Sequence, residues 1–156
     1  MAADARERRR ARVLAIQALY SIEIEEVPSL QAVRTAARLA AGEKNFVEGP
    51  EIDSALHLVE QVRDRQGEID AQIGGSGTSW RVDRMSPLDL QILRVATAEL
   101  IEGRTDCPPP VVIDEAIEIA RSLGGDGTTA FVNGILDAIA RRLSGSAVSR
   151  VRYEEG

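Results

Sequence analysis

The residue types able to do chemistry are few and scattered. His57 is the single histidine. With Glu60 three positions on, it makes one pair of the kind found in carboxylate-bridged metal bundles, but such a centre draws histidines from other helices as well. His57 is therefore read as a partly exposed helix residue. Cys107, the single cysteine, precedes Pro108-Pro109-Pro110 and has no histidine or second thiol near it in sequence. That makes it a loop residue rather than an activated nucleophile. Gly124-Gly125-Asp126-Gly127-Thr128-Thr129 has the glycine content of a phosphate loop but lacks the lysine, and no strand pattern precedes it. It reads as an inter-helix turn whose following helix start can still attract an anion. Asp114, Glu115 and Glu118 read as a solvated face. No catalytic constellation, metal set or cofactor motif emerges.

The chemistry that remains is cationic. Residues 1–12 carry Arg6, Arg8, Arg9, Arg10 and Arg12 against Asp4 and Glu7, a net +3 on a chain whose total is −6, so the remainder carries −9. A basic end on an acidic body points to a local anion-binding surface, not to a chain that coats DNA. Of 19 basic residues only Lys44 is a lysine, and the planar arginine fork suits phosphates and base edges better than a point charge does. Arg8 and Arg12 are four apart and share a helix face, with Arg9 beside it. These side chains are expected to be exposed.

The elements that must hold this surface are helical. A first helix runs from near Asp4 to Ile24, with Val13, Ile16, Leu19, Tyr20 and Ile24 as its stripe. Pro28-Ser29 stops it and caps a second helix whose small face is Leu30, Val33, Ala36, Ala37 and Ala40. Residues 42–49 are a loop. From Pro50 one long helix is expected, roughly 35 Å at 1.5 Å per residue, with a stripe of Ile52, Leu56, Val59, Val62, Ile69 and Ile73 interrupted at Gln66. Gly74-Gly75-Ser76-Gly77 ends it, and Trp80 anchors a short segment before Asp83.

The centre of the chain is the stretch Asp83–Arg142. Ser86 and Pro87 form an N-cap and first helical position, and Asp89 puts a negative charge near the positive helix end. Leu88, Leu90, Ile92, Leu93, Val95, Ala96, Ala98, Leu100 and Ile101 fall on nearly every side, as in a helix buried all round. Val111–Leu123 follows, with Ile113, Ala116, Ile117, Ala120 and Leu123 inward and Gly124-Gly125 as its stop. The last helix turns Phe131, Val132, Ile135, Ile139 and Leu143 inward, and Gly134 marks a close approach to another helix. Residues 144–156 form a polar, frayed tail. Leu93, Val95, Ile117, Ala120 and Ile135 are expected to be buried.

The chain has 156 residues, 44% hydrophobic but only 3% aromatic, so its core is aliphatic. No apolar run is long enough to span a bilayer, and the N-terminus lacks the apolar segment of a signal peptide. One cysteine cannot form an internal disulfide. Together these point to the reducing cytoplasm.

Several ordered segments carry a resemblance. Arg8-Arg9-Arg10-Ala11-Arg12, then Gln17-Ala18-Leu19-Tyr20, resembles the opening of the NusB family of transcription antitermination factors. Ile92-Leu93-Arg94 with Ala98-Glu99-Leu100, Asp114–Ala120, and Phe131-Val132-Asn133-Gly134-Ile135-Leu136-Asp137 are similar to that family's later helices, in order and at compatible spacing across residues 6–142.

The resemblance implies an all-α fold of about seven helices in two packed sub-bundles, residues 4–75 and 79–143, forming one domain over 1–143 with a flexible tail over 144–156. It implies no catalysis. It implies pairing with the ribosomal small-subunit protein NusE, binding of a boxA-like single-stranded element in nascent RNA, notably in ribosomal RNA leaders, and entry into an RNA polymerase antitermination complex. The RNA surface would draw on Arg6, Arg8, Arg9, Arg10, Arg12, Gln17 and Tyr20, with a second region at Thr129 and Phe131. Arg94 and Glu99 would be partner-facing or solvated. Two positions depart from the family pattern. Ala130 stands where a lysine is usual, which removes a site for holding phosphate, and Gly127 stands where an acidic residue is usual, with Asp126 one place earlier.

The helical domain attached to certain RNA methyltransferases is similar as well, but this chain has no room for the α/β domain that binds their methyl donor. The alternative from another class is a non-catalytic helical adaptor or homodimer with no RNA role.

Overall fold

The computed structural model describes residues 5–42, 49–75, 82, 85–123 and 127–155, with side chains described as far as 145. The expectations for Trp80, Asp83, Gly124-Gly125, Asp126 and most of the 42–49 loop lie outside these residues. The described chain forms seven helices: α1 (Ala5–Glu25), α2 (Ser29–Ala41), α3 (Pro50–Asp64), α4 (Gln66–Gly74), α5 (Pro87–Glu102), α6 (Pro109–Leu123) and α7 (Thr128–Glu155). It contains no strand among the described residues.

α5 is the axis. Its start follows the local chemistry: the Ser86 hydroxyl accepts from the Asp89 backbone N–H at 3.2 Å, and Pro87 occupies the first helical position. Its end is Gly103, whose φ of +66° is the left-handed conformation that glycine adopts without a Cβ penalty. Between them every residue from Leu90 to Ala98 is buried, and α1, α3, α4, α6 and α7 all pack on it. α1 packs in turn on α2, α3, α5 and α6, so one continuous aliphatic core joins the two halves.

Several expectations are corrected. The long third helix breaks at Arg65, whose φ of −117° and ψ of 21° leave the helical region. Gln66 interrupts the apolar stripe there, and Gly67 is a weak helix former. The break re-aims the chain so that Ile69 and Ile73 are fully buried and α4 packs mainly on α5 and α7, not with the N-terminal helices. On α1 the buried side is Leu14, Ala15, Ile16, Ala18 and Leu19, while Tyr20 and Ile24 are exposed. On α2, Leu30 and Ala40 are exposed, and Ser29 is buried under Arg63, whose guanidinium donates to the Ser29 hydroxyl at 2.9 Å.

The buried side of α6 is rotated by one position, to Val112, Ala116, Ile119 and Ala120, which leaves Ile117 half-buried. Leu93, Val95, Ala120 and Ile135 are buried as expected. Gly134 is exposed, and a Cβ there would meet no atom within 4 Å, so it marks no close approach. The polar segment after Leu143 continues α7 to Glu155.

Candidate nucleic-acid interface

The arginines of α1 are distributed by helix geometry. Successive residues turn by about 100°, so Arg9, Arg10 and Arg12 reach three different helices, while Arg6, Arg9 and Arg10 still share one side of α1. Arg6 is exposed, and Arg8 is half-buried. Arg9 reaches α6, its Nη2 2.6 Å from Glu115 Oε2. Arg10 reaches the start of α3, donating from Nε at 2.8 Å and Nη2 at 2.6 Å to Glu51 Oε1. Arg12 points into the protein. Its Nε and Nη2 donate to the two carboxylate oxygens of Glu99 at 2.8 and 2.9 Å, and Nη2 also lies 3.2 Å from the Cys107 sulfur.

The expectation that Arg12 is exposed is therefore corrected. Its side chain is 6% exposed, and Glu99 opposite is 13% exposed. Burial alone would depress the Arg12 guanidinium, but the hydrogen bond to Glu99 and its charge outweigh that and hold it above its ordinary value. Cys107 belongs to the same cluster and is buried. Burial pushes its thiol up, against the pull of the Arg12 charge, so the sulfur stays protonated and is not an activated nucleophile.

Arg94 is corrected in the same way. It is not solvated: it is buried at the edge of a hollow, with its fork on Asp70 of α4 at 2.9 and 2.8 Å and its Nη1 on Glu23 of α1 at 2.9 Å. Burial opposes its charge, and the hydrogen bond to Asp70, the Asp70 charge and Glu23 more than offset it. Buried Gln91 adds a bond to the same Glu23 oxygen at 3.1 Å. Arg94 and Glu99 thus tie the two ends of α1 to α5. Their partners Asp70, Glu23 and Arg12 lie 24, 71 and 87 positions away. Glu115, read as part of a solvated face, is half-buried and serves Arg9, with Arg12 at 4.0 Å.

What remains on the surface forms one track. Arg6, Arg9, Arg10, Val13 and Gln17 fall on one side of α1 and line a hollow of about 640 Å³ against α2 and the start of α3. A second hollow of about 560 Å³ continues from Gln17 and Ala40 to Tyr20, Thr35, Leu39 and Leu88. The trough therefore begins at arginines, passes an amide and ends at exposed Tyr20 and Leu39. Arg8 lies across α1 from it, in a separate hollow with Asp53, His57, Glu102 and Arg104. His57 there is half exposed, its Nε2 3.2 Å from Glu102 Oε1, and no group able to hold a metal occurs among the described residues. Thr129 and Phe131 are half-buried at the start of α7, and the Phe131 ring packs on the core.

The family model that matches this chain is that of the NusB family, over residues 9–141. The chain belongs to the NusB family. Among curated relatives, the transcription antitermination protein NusB of Myxococcus xanthus is 39% identical over 137 residues, which cover 88% of this chain and 96% of the relative. Among solved structures, T. maritima NusB aligns with a TM-score of 0.74 at 31% identity, over 90% of this chain and 93% of that one. A chain from the structure of antitermination factors NusB and NusE in complex with dsRNA aligns equally well, TM-score 0.74, over 89% of this chain and 99% of that one. At 24% identity, that likeness speaks for the NusB fold alone.

Proposed function

We infer that this NusB-family chain is a transcription antitermination factor that binds boxA-like single-stranded nascent RNA together with NusE and joins an RNA polymerase antitermination complex. The observation that carries this reading is the α1 trough, in which arginines, an amide and an exposed aromatic follow one another along one helix side. Phosphates held by arginines would supply affinity, and unstacked bases farther along would supply specificity. The chain works as an adaptor and not as an enzyme. No helix among the described residues is long and apolar enough to cross a membrane, and the proposed partners place its work in the cytoplasm.

NusE is assigned to the other end of α1. Glu23 and Asp70 border a hollow of about 870 Å³ with Met85, Pro87 and Leu90. Arg94 lies between the two carboxylates and offsets one of their charges, so a rim one charge acidic stands over an apolar floor, which suits a basic ribosomal protein. Because the body of the chain is acidic, stable RNA binding requires that basic partner.

The test replaces Arg6 and Arg10 together by glutamine, leaving buried Arg12 intact. Matched and mismatched single strands should weaken alike. The log–log salt slope should fall by about 0.7 for each phosphate no longer held, hence by about 1.4 for two. Helix content and NusE affinity should stay as in the parent. An unchanged affinity and slope would remove this side of α1 from the RNA surface and favour an adaptor or homodimer without an RNA role.

A further inference from the structure

We infer that Glu51 sets the RNA affinity of the trough, by holding the arginine fork that a backbone phosphate of single-stranded RNA would otherwise take. This rests on the RNA reading above. One carboxylate oxygen of Glu51 accepts from both Nε and Nη2 of Arg10 at the mouth of the first hollow, where Arg6 and Gln17 also lie. Carboxylate and phosphate present the same kind of oxygens to a guanidinium, so both compete for the same donors.

Glu99, Glu115 and Glu51, which meet arginines of α1 among the described residues, differ in how readily they can be displaced. Glu99 is 13% exposed against an Arg12 that is 6% exposed, and Glu115 is 12% exposed. Arg12 and Glu99 are both shut off from an incoming chain, whereas Arg9 is 50% exposed and only its carboxylate partner is covered. Arg10 and Glu51 are 49% and 31% exposed. A pair so open to water is weakly held, and an RNA phosphate can exchange for it. After the exchange the Glu51 charge stays beside the trough and repels the strand. Glu51 therefore opposes binding twice, by occupying the fork and by its charge.

The deciding experiment compares Glu51→Gln with Asp53→Asn in the full chain, using the boxA-like RNA with and without NusE. Both substitutions remove one negative charge from the first turn of α3, so their effects on helix stability should match, and melting curves check this. Asp53, however, lines the hollow on the far side of α1.

Glu51→Gln should bind RNA roughly three- to tenfold more tightly than the parent, because Arg10 meets the phosphate without first giving up a carboxylate and without that charge beside the strand. Asp53→Asn should change affinity less than about twofold, since exposed charges away from the strand are screened by salt. No gain for Glu51→Gln, or an equal gain for both variants, overturns the inference while leaving the RNA reading intact. Absence of binding by the parent chain, even with NusE, is a different result: it overturns the RNA reading and this inference with it.

Discussion

Replacing Glu99 by alanine is expected to destabilise the fold by about 3–5 kcal/mol, because it strands a buried guanidinium without its bidentate partner. Among the described residues Arg12 would keep Glu115, at 4.0 Å from Nη1, and the Cys107 sulfur. That residual pairing places the loss toward the lower end of the range. Urea unfolding of the variant against the parent measures it. A loss under about 1 kcal/mol, the scale of an exposed pair, would show that Arg12 swings out to water and that the Arg12–Glu99 pair does not join α1 to α5.

Leu93→Ala should cost about 2–5 kcal/mol, the range for removing a fully buried leucine side chain. Leu93 is 0% exposed on a helix surrounded by five others, so the surrounding side chains have little room to close over the space left. Thermal and denaturant unfolding with an unchanged far-ultraviolet circular dichroism spectrum at low temperature is the expected pattern. A melting curve equal to the parent's would mean that Leu93 does not lie in the core.

The two variants separate two kinds of information in the sequence. Leu93 was legible because α5 carries local signals: a serine cap, a proline at the first position and apolar residues on every side. Such signals survive in the folded chain because tertiary packing agrees with them. Glu99 was not legible as the partner of Arg12. The two lie 87 positions apart, and Arg9 and Glu115 lie 106 apart. No local spacing brings such pairs together, so the arginine cluster looked like one exposed surface when burial had assigned Arg12 to the interior.

The break at Arg65 was half legible. Gln66 marked the interruption, but the apolar stripe resumed in a register that a straight helix also fits, and only packing on α5 chose the bend. Tyr20 went the other way. Its spacing placed it on the buried stripe, yet the fold leaves the ring exposed along the trough beside α2.

The candidate site divides along the same line. Arg6, Arg9, Arg10, Gln17 and Tyr20 were all singled out from the sequence, and the fold brings them along one trough. The contributions of Thr35, Leu39 and Ala40 from α2, and of Glu51 from α3, required the fold.

The most direct test of the central claim is a titration of boxA-like single-stranded RNA with this chain alone, with NusE alone and with the pair, at two salt concentrations. The expected result is tighter binding by the pair than by either protein alone, weakening as salt is raised and favouring boxA-like over scrambled RNA. Equal affinities with and without this chain, or no preference for boxA-like RNA at either salt concentration, would contradict it.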